Sequence, residues 1–270
     1  MFVNNQVSVK DKRKAMQDYT LREVMAIAAA RQIRDGDIVF CCTGISMLAA
    51  MAAKHISAPR SVIFFETGAI DSKLEEVPLA VADSRVMYWT SVNGNLLDAF
   101  ATMQNQQTGR QVVGIMGAAQ IDRYGNLNST AIGDYFNPTV RFSGSGGACD
   151  VASFVGRTIL FMRHEKRKFV KQVDYLTSPG WLDGPGRREE AGLSTGGPSA
   201  VITNMAIMGF DADTKEMFLE GWYPGVSPQK ILKNIEFEVD ISRAKEVLPP
   251  SKEELRILRE VCDQQRLILE

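Results

Sequence analysis

Ile38-Val39-Phe40-Cys41-Cys42-Thr43-Gly44 is an apolar run stopped by a small polar residue and a glycine, and the alanine- and methionine-rich stretch Ser46 to His55 follows it. A continuous apolar run of this length fits a strand covered on both faces, and the stretch after it fits a helix. The unit is a strand, a glycine turn and a helix, and its parts recur. Val62-Ile63-Phe64-Phe65 runs into Glu66-Thr67-Gly68, and further strands are predicted at Val86 to Trp89 and Val112 to Met116, with a helix near Leu96 to Met103 between them. Upstream, Thr20-Leu21-Arg22-Glu23 matches a capping box, and Val24, Ile27, Ala28 and Ile33 suit an amphipathic helix ending near Asp35-Gly36. Such alternation predicts an α/β fold, a mostly parallel open sheet with helices on both faces.

From Gln120 to Gly147 the character changes to a loop-rich insert, with turn chemistry at Tyr124-Gly125-Asn126, Asn137-Pro138 and Gly144 to Gly147. Beyond it, strands are predicted at Thr158 to Met162, Ala200 to Met205 and Met217 to Trp222. The last two read as an antiparallel pair joined through Asp211-Ala212-Asp213. Helix starts are expected at Ser227-Pro228 and at the capping box Ser251-Lys252-Glu253-Glu254. Residues 1–18, with the basic cluster Lys10-Asp11-Lys12-Arg13-Lys14, read as an N-terminal arm, and 19–270 as one α/β domain without a linker or repeat.

Lysine and arginine total 31 against 32 acids, so no excess of positive charge argues for nucleic acid. The four cysteines, Cys41, Cys42, Cys149 and Cys262, form no C-x-x-C, and with only His55 and His164 besides there is no zinc-ligand spacing. No stretch approaches the ~18 to 20 apolar residues of a membrane span, and no signal-peptide pattern is present. The expectation is a cytoplasmic protein with reduced thiols, no bound metal and no membrane contact.

Glu66 ends a buried strand, and Gly68 lets the chain turn after it. The ends of such strands open onto the ligand crevice, so the carboxylate is either a site residue in a poorly hydrated setting or a surface acid. Arg141-Phe142-Ser143-Gly144-Ser145-Gly146-Gly147-Ala148-Cys149-Asp150 also leaves two readings. It departs from G-x-G-x-x-G at Cys149 and has no Walker lysine, so it is a tight turn or a backbone brought close to an anion or developing oxyanion, ahead of a helix beginning near Ala148. A glycine loop and a strand-end glutamate together point to acyl chemistry.

Several segments in order carry a resemblance: Phe65-Glu66-Thr67-Gly68 with Asp71, Gly117 to Thr130, Ile132-Gly133-Asp134, Arg141 to Ala148, His164-Glu165-Lys166-Arg167, and Thr177-Ser178-Pro179-Gly180-Trp181. The chain resembles the β subunits of class I coenzyme A transferases, of the glutaconate CoA-transferase type, over most of residues 20 to 260. The resemblance implies the family's NagB/RpiA-like sheet and a Glu66 nucleophile that passes through a mixed anhydride to a glutamyl-CoA thioester. Coenzyme A is then substrate and covalent intermediate, with no permanently bound cofactor. The implied partners are a homologous α subunit, an acyl-CoA and a carboxylic acid, possibly dicarboxylic.

Gly146 and Gly147 are the expected oxyanion donors, and Thr67, Gly68, Gln120, Asn126, Gly144 and Ala148 the expected substrate and CoA contacts. For Gln120 and Asn126, packing or turn formation stands equally beside that reading. His164 has no role in such a mechanism, Cys149 reads as a packing residue, and Arg163 to Lys168 as a solvated basic segment. Lys73 to Pro78, directly after the motif, is where substrate choice would be set. Thr67 stands where relatives carry serine or asparagine, so hydrogen bonding around Glu66 is expected to differ. Two other functions stay open: an acyl-CoA hydrolase or decarboxylase on the same scaffold, and a non-catalytic metabolite-binding subunit.

Overall fold

The computed structural model describes residues 19–193 and 196–269, so the arm expected over 1–18 lies outside the described residues. Helix α1 (Leu21–Ala30) begins at the capping box: Thr20 Oγ1 accepts the Glu23 N–H at 3.2 Å, and the Glu23 carboxylate accepts the Thr20 N–H at 2.7 Å. It stops short of Asp35 because Gln32 and Ile33 donate to carbonyls three residues back, tightening the chain into turns. Strand β1 (Ile38–Cys41), helix α2 (Ile45–Ile56) and strand β2 (Val62–Phe64) form the first crossover unit, with Ile38 opposite Val62 in parallel register.

β2 turns back into β3 (Ala69–Ile70), which pairs antiparallel with β4 (Val92–Asn93). Helix α3 (Leu96–Gln104) and the short α4 (Gln106–Gly109) lead to β5 (Val112–Gly117), which returns to the other side of β1. Progress across the sheet therefore reverses at β1, and in open α/β sheets the ligand crevice lies beyond the strand ends at such a switch point.

The insert forms two small hairpins, β6 (Gln120–Ile121) with β7 (Leu127–Asn128) and β8 (Ala131–Gly133) with β9 (Pro138–Arg141), before helix α5 (Ala148–Phe154). Strand β10 (Arg157–Met162), helix α6 (Arg187–Glu190) and strand β11 (Pro198–Thr203) extend the parallel centre. β12 (Ala206–Phe210) and β13 (Met217–Trp222) then add antiparallel strands. After α7 (Pro228–Leu232), β14 (Lys245–Glu246) forms one edge of a ten-stranded sheet in the order β14-β13-β12-β11-β10-β5-β1-β2-β3-β4. Helix α8 (Lys252–Arg256) runs on into a π-helical segment, Ile257–Cys262.

The central strands read as unbroken apolar runs because both faces are covered. Val39, Cys41, Ile63 and Phe65 lie in the cluster with α1 and α2, whereas Phe40 and Phe64 pack with Ala99 and Met103 of α3 and Val151 of α5. That is the two-residue period of a strand, and each large side chain so buried is worth roughly 1.5–3 kcal/mol.

Two predicted elements differ. Val86 to Trp89 is not a strand: Ser84–Met87 is a 3₁₀ turn, because the Asp83 carboxylate accepts the Arg85 N–H at 3.0 Å and caps it. The hairpin joined through Asp211 is β12 with β13, so Ala206–Phe210 is a strand that the sequence reading passed over. Thr203 Oγ1 accepts the N–H groups of Met205 and Ala206, which ends β11 in a tight turn at the polar pair Thr203-Asn204, inside the strand expected over Ala200 to Met205.

Candidate active site

Glu66 stands one residue past the last fully buried position of its run. Phe65 donates its N–H to the Ala69 carbonyl at 3.0 Å, and its own carbonyl accepts the Gly68 N–H at 3.0 Å, so Glu66 and Thr67 occupy the two central positions of a tight turn. Gly68 has φ of 94°, and a Cβ there would lie 2.3 Å from the Gly94 carbonyl carbon, so only glycine fits. The Gly94 N–H donates to the Gly68 carbonyl at 2.8 Å. This contact fixes the start of α3, whose N-cap Asn95 forms a capping box with Asp98, against the turn that carries Glu66.

The glycine loop approaches from the other side. Its Gly144 is tied to Ser129, donating to the Ser129 carbonyl at 3.1 Å and accepting the Ser129 hydroxyl at 3.0 Å. Gly147 is the N-cap of α5, and Ala148 donates to the Ser145 carbonyl at 3.0 Å as that helix begins. A Cβ on Gly147 would lie 3.8 Å from Glu66 Oε2, and 2.5 Å from Cζ of Phe100 on α3. The structure thus brings Glu66, Thr67, Gly68, Gly147 and Ala148 into one neighbourhood. Among the described residues, neither the Gly146 nor the Gly147 N–H donates to an acceptor in the chain, and Thr67 Oγ1 is buried without a hydrogen-bond partner.

Gln120 and Asn126 are placed differently, because their side chains are engaged inside the chain. Asn126 Nδ2 donates to Asp122 at 2.9 Å and to the Leu182 carbonyl at 2.8 Å, and its Oδ1 accepts the Gly180 and Leu182 N–H groups at 2.9 and 3.1 Å. All four sites of the amide are satisfied, which holds the insert to the 180–182 turn. Gln120 Oε1 likewise accepts Asn128 Nδ2 at 2.7 Å and the Asp174 N–H at 3.0 Å. Asp122 beneath them is pushed up to about 6, chiefly by burial, although its carboxylate accepts hydrogen bonds from Asn126 and Tyr124.

Two residues near the nucleophile candidate escaped the sequence reading. The β1–β2 register, continued past Phe64, sets Cys42 opposite Glu66, a pairing that no local spacing encodes. Crowding by the surrounding protein, then the Glu66 charge, raises the Cys42 thiol above its ordinary range, although the residue keeps an exposed surface. Phe100 carries no local signal, since its ring meets Gly147 only through the tertiary fold. Elsewhere, His164 is buried and stacked on Phe169 at 4.6 Å, with Nε2 3.1 Å from the Ile231 carbonyl, and burial lowers its pKa.

Lys73 to Val77, within the segment expected to choose the substrate, line a separate cavity of about 830 Å³. Neither Glu66 nor the glycine loop borders that cavity. Among the described residues no group of three or more His, Cys, Asp or Glu side chains is placed to hold a metal, and no helix is long and apolar enough to cross a membrane.

This geometry, a strand-end carboxylate under a glycine loop at the switch point of a mostly parallel sheet, coincides with a family assignment. The chain belongs to the coenzyme A transferase family, whose model, described as "Coenzyme A transferase", matches residues 22–234. It is 41% identical to the β subunit of glutaconate CoA-transferase of Acidaminococcus fermentans over 252 residues, covering 91% of this chain and 93% of that one. It is 34% identical to the β subunit of 3-oxoadipate CoA-transferase of Pseudomonas knackmussii, covering 90% and 94%. The crystal structure of glutaconate coenzyme A-transferase from Acidaminococcus fermentans superposes with a TM-score of 0.90 at 39% identity, covering 94% of this chain and 98% of that one.

Proposed function

We propose that this chain is the β subunit of a CoA-transferase that moves CoA between an acyl-CoA and a carboxylic acid, with Glu66 as the acyl-carrying nucleophile. The observation that carries the reading is the approach of Glu66 Oε2 to Gly147, 3.8 Å from where a Cβ would stand. A Glu66 oxygen attacks the thioester carbonyl carbon, the C–S bond breaks, and CoA leaves as thiolate from a mixed anhydride. The thiolate then attacks Glu66 Cδ, releasing the first acid as carboxylate and leaving a glutamyl-CoA thioester. The acceptor carboxylate reverses the two steps, so one thioester is exchanged for another with no water consumed.

Each attack builds negative charge on a carbonyl oxygen. The unengaged N–H groups of Gly146 and Gly147 are donors for it, and one such donor is worth roughly 10²- to 10³-fold in rate. Thr67 Oγ1, Gly68, Gly144 and Ala148 complete the wall that would meet thioester and pantetheine. Gln120 and Asn126, engaged inside the chain, hold the insert in shape and make no contact with CoA in this reading.

A homologous α subunit closes the site in this reading. Trp89 and Leu97 are 74% and 77% exposed, and Val92 and Leu96 are also exposed, all within a few residues of the Gly68–Gly94 contact. Exposed apolar side chains on the segment that contacts the Glu66 turn suit coverage by a second chain that excludes water. Glutaconate and 3-oxoadipate, the acids in the relatives' names, are both dicarboxylic, so a dicarboxylic acid is the proposed acceptor class.

Initial rates with the αβ complex, varying acyl-CoA against several dicarboxylic acids, test the proposal. Parallel double-reciprocal lines are expected, together with a roughly 10²-fold loss in Glu66→Asp, whose carboxylate is drawn back by one methylene. Intersecting lines with full activity in Glu66→Asp would refute it.

A further inference from the structure

Three elements meet around Glu66, and at two of the meeting points, Gly68 against Gly94 and Gly147 against Phe100, an added Cβ would not fit. The Glu66 turn touches the start of α3 through Gly68 and Gly94. α3 touches the glycine loop through Phe100, whose Cζ lies 2.5 Å from where a Gly147 Cβ would be, and the loop touches Glu66 through Gly147. Among these contacts Phe100 supplies the one aromatic ring. Its ring fills the volume beneath Gly147 and is backed edge-on by Phe40 at 6.4 Å, which in turn meets Phe64 at 5.2 Å.

We propose that Phe100 is a positioning residue: it seats the glycine loop against Glu66 and keeps water from the acyl-glutamyl intermediates, so that it sets the partition between transfer and hydrolysis. The inference rests on the reading of Glu66 as nucleophile. In the competing step a water oxygen bonds to Glu66 Cδ of the glutamyl-CoA thioester and the C–S bond breaks. CoA departs as thiolate and takes up one proton from that water, the second passes to solvent, and the Glu66 carboxylate is regenerated. The net reaction is hydrolysis of acyl-CoA to acid and CoA, with no co-reactant besides water.

Two properties of the site make Phe100 the element on which this partition depends. A glycine-only contact has no side chain with which to fill a gap, so any void left by the ring opens directly beneath Gly147. Transfer and hydrolysis share the same intermediate and donors, so a change in overall folding or in donor strength scales both. A change in water access moves only their ratio.

The test uses the αβ complex with Phe100→Ala and Phe100→Leu, measuring transfer to the acceptor acid and thiol release without acceptor in parallel incubations. The mass of the Glu66 peptide is followed in each. The hydrolysis-to-transfer ratio is expected to rise roughly tenfold or more in Phe100→Ala and less in Phe100→Leu, while the Glu66 adduct still forms. The ratio does not depend on the amount of folded enzyme, and if Phe100→Ala yields no soluble complex, a rise in Phe100→Leu decides the matter. An unchanged ratio with the adduct present overturns the role of Phe100 and leaves the nucleophile intact. No adduct in the unsubstituted enzyme overturns both.

Discussion

The network around Asn126 and the turn around Glu66 are both polar clusters set against a buried sheet, and they differ in what their groups bond to. At Asn126 every donor and acceptor of the amide finds a partner within the chain. At Glu66 the Thr67 hydroxyl and the Gly146 and Gly147 N–H groups do not. Of these, only Thr67 Oγ1 is buried, where a polar group is ordinarily satisfied; Gly146 is exposed and Gly147 half-buried, so their N–H groups are open to a ligand at the mouth of the site. The contrast separates two sets of residues that a motif comparison places together: those that hold the insert in shape, and those that face the chemistry.

Three substitutions can break or sharpen that contrast. Gly147→Ala places a methyl 2.5 Å from the Phe100 ring and 3.8 Å from the Glu66 carboxylate. The single-turnover transfer rate should fall about 10²-fold or more, as misplacement by an ångström at a reacting centre does, with the complex still folded. Unchanged transfer would mean that the loop does not seat on Glu66.

Asn126→Ala strands the Gly180 and Leu182 N–H groups. Urea denaturation should show a loss of roughly 3 kcal/mol, while KM for acyl-CoA stays the same. A raised KM without loss of stability would return Asn126 to the CoA site.

The smallest effect is expected at Asp122. Burial raises its folded pKa to about 6, above the unfolded value near 3.9, so between these values the folded state binds more protons. Its contribution is then fully present below about pH 4 and is lost as pH rises through 6, by roughly 2–3 kcal/mol. Asp122→Asn lacks that dependence, and the difference between the two stability–pH curves should show it. Parallel curves would show that Asp122 is ordinarily acidic.

The fold was legible where its causes are local. The capping boxes at Thr20 and Ser251, the glycine turns and the two-faced strands each leave a short-range pattern, and the structure places elements at all of them. Val86 to Trp89 misled because its apolar residues sit in a turn capped by Asp83, with Val86 buried and Trp89 outside. Ala206–Phe210 was hidden because the expected strand runs through Thr203-Asn204 to Met205, whereas the Thr203 hydroxyl closes a turn at that pair.

At the site, Glu66 and the glycine loop were visible as a strand end and a run of turn residues. Their approach, the opposition of Cys42 to Glu66 and the ring of Phe100 beneath Gly147 depend on sheet register and helix docking, which no local spacing encodes.

That Glu66 carries the acyl group is tested most directly by the mass of the peptide containing it, after the αβ complex has been incubated with acyl-CoA and no acceptor acid, with and without borohydride. A CoA adduct on Glu66 is expected, which borohydride replaces by a reduced side chain and which an added acceptor acid discharges. Turnover with an unmodified Glu66 peptide, persisting at the same rate in Glu66→Ala, would contradict it.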